Sequence, residues 1–212
     1  MPLQLDAATK THLDRLVANL HSEFDELFPR ETIDAYVDAA AEQLDAPRFG
    51  DFLPLLVYRA AREELRARGQ AEGKIQKLQT EVLFVSLTDT GRGHMAAALL
   101  EKHGGGRFSA RTAGTAAERD LNPIVVEALA EIDVDASLRY PKPLTDDVLR
   151  AADVVVTFGE QDVQVPEVTR HEIWEIDDPR EKDLDAVRLV RDDIDVQVRK
   201  LVASLEEQAE TA

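Results

Sequence analysis

Ser86 to Arg92 lie within the run VLFVSLTDTGRGHMAAALL, Val82 to Leu100, and carry residue types and a spacing suited to holding an anion. Val82 to Val85 read as a buried strand, a short polar turn closes on Gly91 and Arg92, and Met95 to Leu100 read as a helix. Free backbone N–H groups at a helix N-terminus, where the macrodipole adds about half a positive charge, form a natural seat for a tetrahedral oxyanion. The candidate anion-binding residues are therefore Ser86, Leu87, Thr88, Asp89, Thr90, Gly91 and Arg92, with Arg92 as the cation. A serine nucleophile in such a loop requires a neighbouring base, and SLTDTGR contains neither histidine nor lysine. His94 follows closely, but on the first helical turn it is expected to face outward or to cap locally.

Other chemistry finds little support. His12, His21, His94, His103 and His171 have no paired ligand spacing, so no metal and no other cofactor is expected. HGGGRFS, residues 103 to 109, follows a helix and precedes a strand, the reverse of the order in a dinucleotide fingerprint, and reads as a helix stop. The charges of RDDIDVQVRK read as a solvated helix face. Trp174 reads as a core anchor.

The elements that must position the loop follow from periodicity. The 212 residues suffice for a sizeable core, and with 44 % hydrophobic but only 5 % aromatic residues that core is expected to be aliphatic. From Leu5 onward, apolar residues recur at helical spacing (Leu13, Leu16, Val17, Leu20, then Phe24, Leu27 and Phe28) until Pro29. ETIDAYVDAAAEQL predicts a second helix closed by Asp45 and Pro47, and DFLPLLVYRAAREELRAR a third with Pro54 in its first turn. These predict a three-helix bundle over residues 1–72, near the lower size limit for an independent core, for which homodimerisation is a natural remedy. The polar, glycine-containing GQAEGKIQKLQTE marks a boundary, and residues 80–212 form the second expected domain. There, after the first strand and helix, RFSARTAG reads as a strand and NPIVVEALAEI as a helix capped by Asn122. TDDVLRAA is a short helix, DVVVTFG and RHEIWEI are strands, and LDAVRLVRDDIDVQVRKLVASLEEQ is a long amphipathic helix. Alternating strands and helices predict an α/β fold, a parallel sheet flanked by helices, whose ligands gather at the carboxyl ends of the strands.

Composition narrows the partners. Forty-two acidic against 25 basic residues give a formal charge of -17, which disfavours nucleic acid and anionic membrane surfaces. Residues 1–72 share the acidic excess, so a DNA-reading helix-turn-helix is not expected. The N-terminus lacks a signal pattern and no apolar run approaches the ~20 residues of a membrane span, so the expectation is a cytoplasmic chain. There is no cysteine, which removes disulfides and thiol nucleophiles together.

Taken in order, the loop ending in GR with MAAALL after it, SARTAGT, LNPIVVEALAEIDVD, YPKPLTDDVLRAADVVVTFG, WEIDDP and AVRLVRDDIDVQVRKL resemble the low-molecular-weight protein tyrosine phosphatase family. Within that family they resemble its arsenate reductases. A helical N-terminal part is similar to extensions found in actinobacterial arsenate-reductase-like proteins. The resemblance implies that Ser86 occupies the position of the family's nucleophilic cysteine, that Arg92 binds the anion, and that Asp178, before Pro179, is the general-acid position. It also marks departures. A hydroxyl cannot replace a thiol of pKa ~8.5 that the loop converts to thiolate. Gly93 stands where a Ser or Thr usually bonds that thiolate. FGEQDVQVP, with Glu160 and Gln164, stands where relay cysteines would lie. Asp89 replaces a frequent asparagine, and a carboxylate ~4 Å from a unit anionic charge costs on the order of 4 kcal/mol at an effective dielectric of ~20, about what Arg92 returns. The three-residue spacing suggests that Asp89 folds onto Arg92 and fills the cradle. The reading is a catalytically inactive relative that binds a phosphate- or arsenate-like oxyanion or a protein partner and dimerises through its N-terminal helices. The alternative is arsenate reductase or low-molecular-weight protein tyrosine phosphatase activity in a cysteine-bearing parent protein.

Overall fold

The computed structural model describes residues 6–44 and 49–211, and among these the chain forms seven α-helices and four β-strands. Leu5, Asp45 and Pro47, which the sequence places at helix ends, lie outside the described residues. Two compact units divide between Gln76 and Lys77.

In the first unit, α1 (Ala7–Phe24) starts at Asp6, whose carboxylate accepts from the N–H groups of Ala8 and Thr9 at 2.9 Å each. The helix stops four residues before the Phe28 that the periodicity included. Both Leu27 and Phe28 donate their N–H to the Phe24 carbonyl, and this turn buries the Phe28 ring, with Lys74 Nζ 4.8 Å from its centroid. Helix α2 (Arg30–Gln43) follows directly from Pro29 and buries Ile33, Val37 and Ala40 at helical spacing. A 3-10 turn, Gly50–Phe52, leads into α3 (Leu53–Ala71), which carries Pro54 in its first turn and buries Leu56, Val57, Ala60, Ala61 and Leu65. The three helices pack pairwise on one another.

The second unit runs β1 (Thr80–Ser86), α4 (Arg92–Gly104), β2 (Phe108–Gly114), α5 (Pro123–Ala130), α6 (Asp146–Ala151), β3 (Val154–Phe158), β4 (Arg170–Trp174) and α7 (Leu184–Thr211). The strands form one parallel sheet in the order β2-β1-β3-β4, with Val85 opposite Thr157 and Ser86 opposite Gly114. Because β1 connects to β2 on one side while β3 lies on the other, the order reverses beside the carboxyl end of β1, the usual ligand position in such sheets. Val82, Phe84, Val154, Val156 and Phe158 share a core with the apolar faces of α4, α5 and α7, while Leu83, Val85 and Val155 are buried on the opposite face. The Phe84 ring lies 5.8 Å from Trp174, and Phe158 meets Trp174 edge-on at 5.9 Å, so Trp174 is the core anchor its setting implied.

Local signals act as expected at the ends of these elements. The Asn122 side chain accepts from the Ile124 N–H at 3.0 Å with Pro123 in the first turn of α5, and Thr145 caps α6. Gly105, at φ 57°, ends α4 in the left-handed conformation that glycine adopts without penalty. Among the described residues no helix is long and apolar enough to cross a membrane. Truncating Phe84 to alanine, at the centre of the aromatic cluster, is expected to cost about 3–5 kcal/mol. Urea unfolding should then show a lower midpoint at unchanged slope.

Candidate anion-binding site

The residues between β1 and α4 are shaped by bonds made outside the loop. The carbonyls of Ser86, Leu87, Thr88 and Thr90 accept from the N–H groups of Thr115, Ala116, Glu118 and Asn122 at 3.1, 2.7, 3.0 and 3.0 Å. In a trans peptide the C=O and the following N–H point opposite ways. The N–H groups of Leu87, Thr88, Asp89 and Gly91 are thereby turned away from the 115–122 segment and toward the inside of the loop. The Asp89 N–H illustrates the direction, since it donates to Ser86 Oγ at 3.1 Å. Ser86 itself is 4 % exposed at the base. Asp89 adopts φ 52°, a left-handed conformation that a short polar side chain tolerates better than most. The Thr88 and Thr90 hydroxyls bond each other at 2.9 Å.

Asp89 does not fold onto Arg92. Its backbone conformation sends the fully buried carboxylate beneath the loop, where Oδ2 accepts from Thr112 Oγ1 at 3.0 Å and from the Lys142 N–H at 2.9 Å. Nor does His94 face outward. It is 2 % exposed, and its Nε2 lies 3.3 Å from Asp89 Oδ2, a close contact too poorly aligned to be a hydrogen bond. The cause is steric and electrostatic together: Gly93 leaves room beside the carboxylate, whose Oδ1 would lie 3.2 Å from a Cβ at that position, and the imidazole fills the remaining space against the charge.

Arg92 leaves the loop on the other side. Nη1 donates to the Ile176 carbonyl at 2.6 Å, Nη2 lies 3.5 Å from Asp178 Oδ2, and the guanidinium sits 5.4 Å from the Phe158 ring centroid. Burial pushes the Arg92 pKa down from its ordinary value, opposed chiefly by Asp178 and also by Asp177 and Glu175. With an intrinsic value above 12 the side chain stays a cation. Asp178 is pinned in a turn by Arg180, whose N–H donates to Oδ1 and whose Nε donates to Oδ2, each at 2.9 Å. The aspartate therefore both caps a local turn and reaches Arg92 of the loop. Pro179 closes the lid of the loop: a Cβ on Gly91 would meet its ring at 2.8 Å, and its carbonyl accepts from Asn122 Nδ2 at 3.3 Å. A groove of about 730 Å³ opens beside the loop, lined by Thr90, Asp120, Asn122, Asp178, Arg180 and Glu181 among others.

Ser86, Thr90, Gly91, Arg92 and Asp178 thus come together, whereas the side chains of Leu87, 41 % exposed, and Asp89 leave the cradle in different directions. The Ile176 carbonyl, Thr112, Phe158 and the Lys142 N–H were not legible as participants. Two of them act through backbone groups, which residue type does not reveal. Among the described residues no three His, Asp or Glu side chains converge as a metal site.

Residues 81–211 match the family described as "Low molecular weight phosphotyrosine protein phosphatase". The chain belongs to that family. Similar relatives include a putative arsenate reductase of Halobacterium salinarum, 31 % identical over 128 residues, which are 56 % of this chain and 88 % of that protein. The solved thioredoxin-dependent arsenate reductase of Corynebacterium glutamicum is 32 % identical, covers 93 % of this chain and 98 % of its own, and has a TM-score of 0.79. That likeness takes in the N-terminal helices as well as the α/β unit. A further structure, an arsenate reductase in the phosphate binding state, is 25 % identical over 59 % of this chain and 98 % of its own, at a TM-score of 0.54.

The bonds under the loop can be tested without any ligand. Asp89→Ala leaves the Lys142 N–H and the Thr112 hydroxyl without their buried acceptor and is expected to cost about 1–3 kcal/mol. Asp89→Asn keeps an acceptor and removes a buried charge, so its urea midpoint is expected to lie closer to that of the parent.

Proposed function

We propose that this member of the phosphatase and arsenate reductase family binds a phosphate- or arsenate-like oxyanion in the Ser86–Arg92 loop without turning it over. The observation that carries the reading is the setting of Ser86. Its Oγ accepts the Asp89 N–H, and the imidazole of His94 lies 3.3 Å from the Asp89 carboxylate and makes no hydrogen bond to Ser86. A serine hydroxyl becomes an effective nucleophile only beside a base that takes its proton, and among the described residues no base makes a hydrogen bond with Ser86 Oγ. Reduction of arsenate by a thiol of the chain itself is also closed, because the sequence has no cysteine. What remains is a cradle of inward N–H groups at the N-terminus of α4 with one partly buried cation, the elements that hold an anion in place. Asp178 keeps the general-acid position but has no leaving group to protonate.

In this reading the helical residues 1–72 are a separate module that pairs with a second copy or a protein partner, and residues 80–212 are the anion-binding domain of a cytoplasmic protein. Phe52 and Leu55, three residues apart and 55 % and 37 % exposed, support self-association because together they present apolar surface at the start of α3.

Calorimetric titration of phosphate and arsenate into the full chain tests the first part. Binding is expected, and Arg92→Ala should weaken it at least about tenfold, in line with the ~1.5–3 kcal/mol of a charged hydrogen bond. Phosphate-ester hydrolysis should be absent in the parent and appear in Ser86→Cys; hydrolysis by the parent that Ser86→Ala abolishes would favour an active enzyme. For the second part, sedimentation should report a dimer that Phe52→Glu dissociates, and a monomeric parent would remove self-association.

A further inference from the structure

The cradle is rimmed on one side by groups that can only accept hydrogen bonds. Arg92 Nη1 already donates to the Ile176 carbonyl at 2.6 Å, and Nη2 lies 3.5 Å from Asp178 Oδ2. Each terminal nitrogen of a guanidinium carries two hydrogens. A ligand oxygen that takes the remaining hydrogens of Arg92 therefore sits next to a carbonyl and a carboxylate oxygen. The loop amides and Arg92 call for acceptor oxygens on the ligand, while Ile176 O and Asp178 Oδ2 call for a donor.

Asp178 is already faced by donors. The groups bonded to it are the Arg180 N–H, Arg180 Nε and Arg92 Nη2, and none of these has a lone pair to accept a proton from a carboxyl group. Amide and guanidinium donors thus hold the carboxylate as an acceptor. Asp177 and Glu175 add negative potential around Arg92 from the same segment. The same segment fixes the rim in place, because Pro179 packs over Gly91 and its carbonyl is tied to Asn122.

We propose that Asp178, with the Ile176 carbonyl, makes the loop selective for tetrahedral oxyanions that retain a hydroxyl, as phosphate and arsenate do at neutral pH, against sulfate, which retains none. The inference rests on the oxyanion-binding reading of the loop and adds the ligand class. With hydrogenphosphate or hydrogenarsenate, the O–H points at Asp178 Oδ2 and the deprotonated oxygens point at the amides and Arg92. With sulfate, an oxygen without a proton meets the carboxylate, so repulsion replaces a hydrogen bond. Sites built to bond a ligand hydroxyl discriminate strongly against analogues that lack it, by as much as 10⁴–10⁵ when the group is fully enclosed. Asp178 has a side chain 35 % exposed, so water screens the contact and a smaller ratio, at least about tenfold, is expected here.

The test is calorimetric titration of phosphate, arsenate, sulfate and monofluorophosphate into the full chain at neutral pH and constant ionic strength, repeated with Asp178→Asn. Monofluorophosphate keeps the tetrahedral phosphorus centre and carries no hydroxyl at that pH, so it reads the proton requirement in the unaltered protein. The expected result is that phosphate and arsenate bind the parent at least about tenfold more tightly than sulfate and monofluorophosphate. In Asp178→Asn, whose amide can donate, sulfate affinity should rise and most of the preference should vanish. Equal binding of all four anions by the parent would overturn the selectivity and leave the cradle standing, as would a preference that persists undiminished in Asp178→Asn. Absence of binding by any anion in both proteins would overturn the cradle as well.

Discussion

The conformation of the Ser86–Arg92 loop depends on hydrogen bonds that its own residues do not make with each other. Four of its carbonyls are drawn outward by the N–H groups of residues 115–122, and that pull turns the intervening N–H groups inward. A loop with inward amides and no anion would otherwise repel itself, since several parallel dipoles converge on one point. The external bonds hold it open, and the register of β1 with β2, ending at Ser86 opposite Gly114, brings the two segments within reach. These outward bonds do not involve the Ser86 hydroxyl, which accepts separately from the Asp89 N–H.

The same logic explains how a buried carboxylate is tolerated under an anion seat. A fully enclosed charge is costly unless donors surround it. Thr112 and the Lys142 backbone donate to Asp89, and His94 stands against the same oxygen. Gly93 belongs to this arrangement, because a side chain there would press on Asp89 Oδ1. Asp89, Gly93 and His94 therefore form one packed unit beneath the loop. Arg92 is excluded from it by direction, leaving on the opposite side toward Phe158 and Ile176.

Much of the architecture was legible in the sequence because it rests on periodicity and punctuation. The β-branched run of β3, the caps Asn122 and Thr145 and the glycine stop after α4 each have one dominant local explanation, and tertiary packing agrees with it. The end of α1 was not legible, since Phe24, Leu27 and Phe28 keep helical spacing while a turn buries Phe28. Within the site, the placing of the 86–92 loop between β1 and α4 followed from a strand, a polar turn and a helix. Side-chain directions did not. Asp89 and Arg92 are three residues apart, which on a helix would make them neighbours, but a left-handed residue just before the helix separates them. His94 likewise looked exposed because its position on the helix says nothing about a segment that packs over it from β2 and beyond.

The direction in which these side chains leave the loop also decides how charge is distributed around a bound anion. Asp89 lies below the loop, where its Oδ2 accepts from Thr112 and the Lys142 N–H, away from Arg92. Asp178 lies at the rim, where its donors come from Arg180 and from the same Arg92 that an anion would engage. Asp178 and the Ile176 carbonyl both draw on the donors of Arg92, and at that rim a proton carried by a ligand would alter the balance. The rim is thus the nearest source of repulsion toward an anion held in the loop, and a hydroxyl on the ligand is the group able to relieve it.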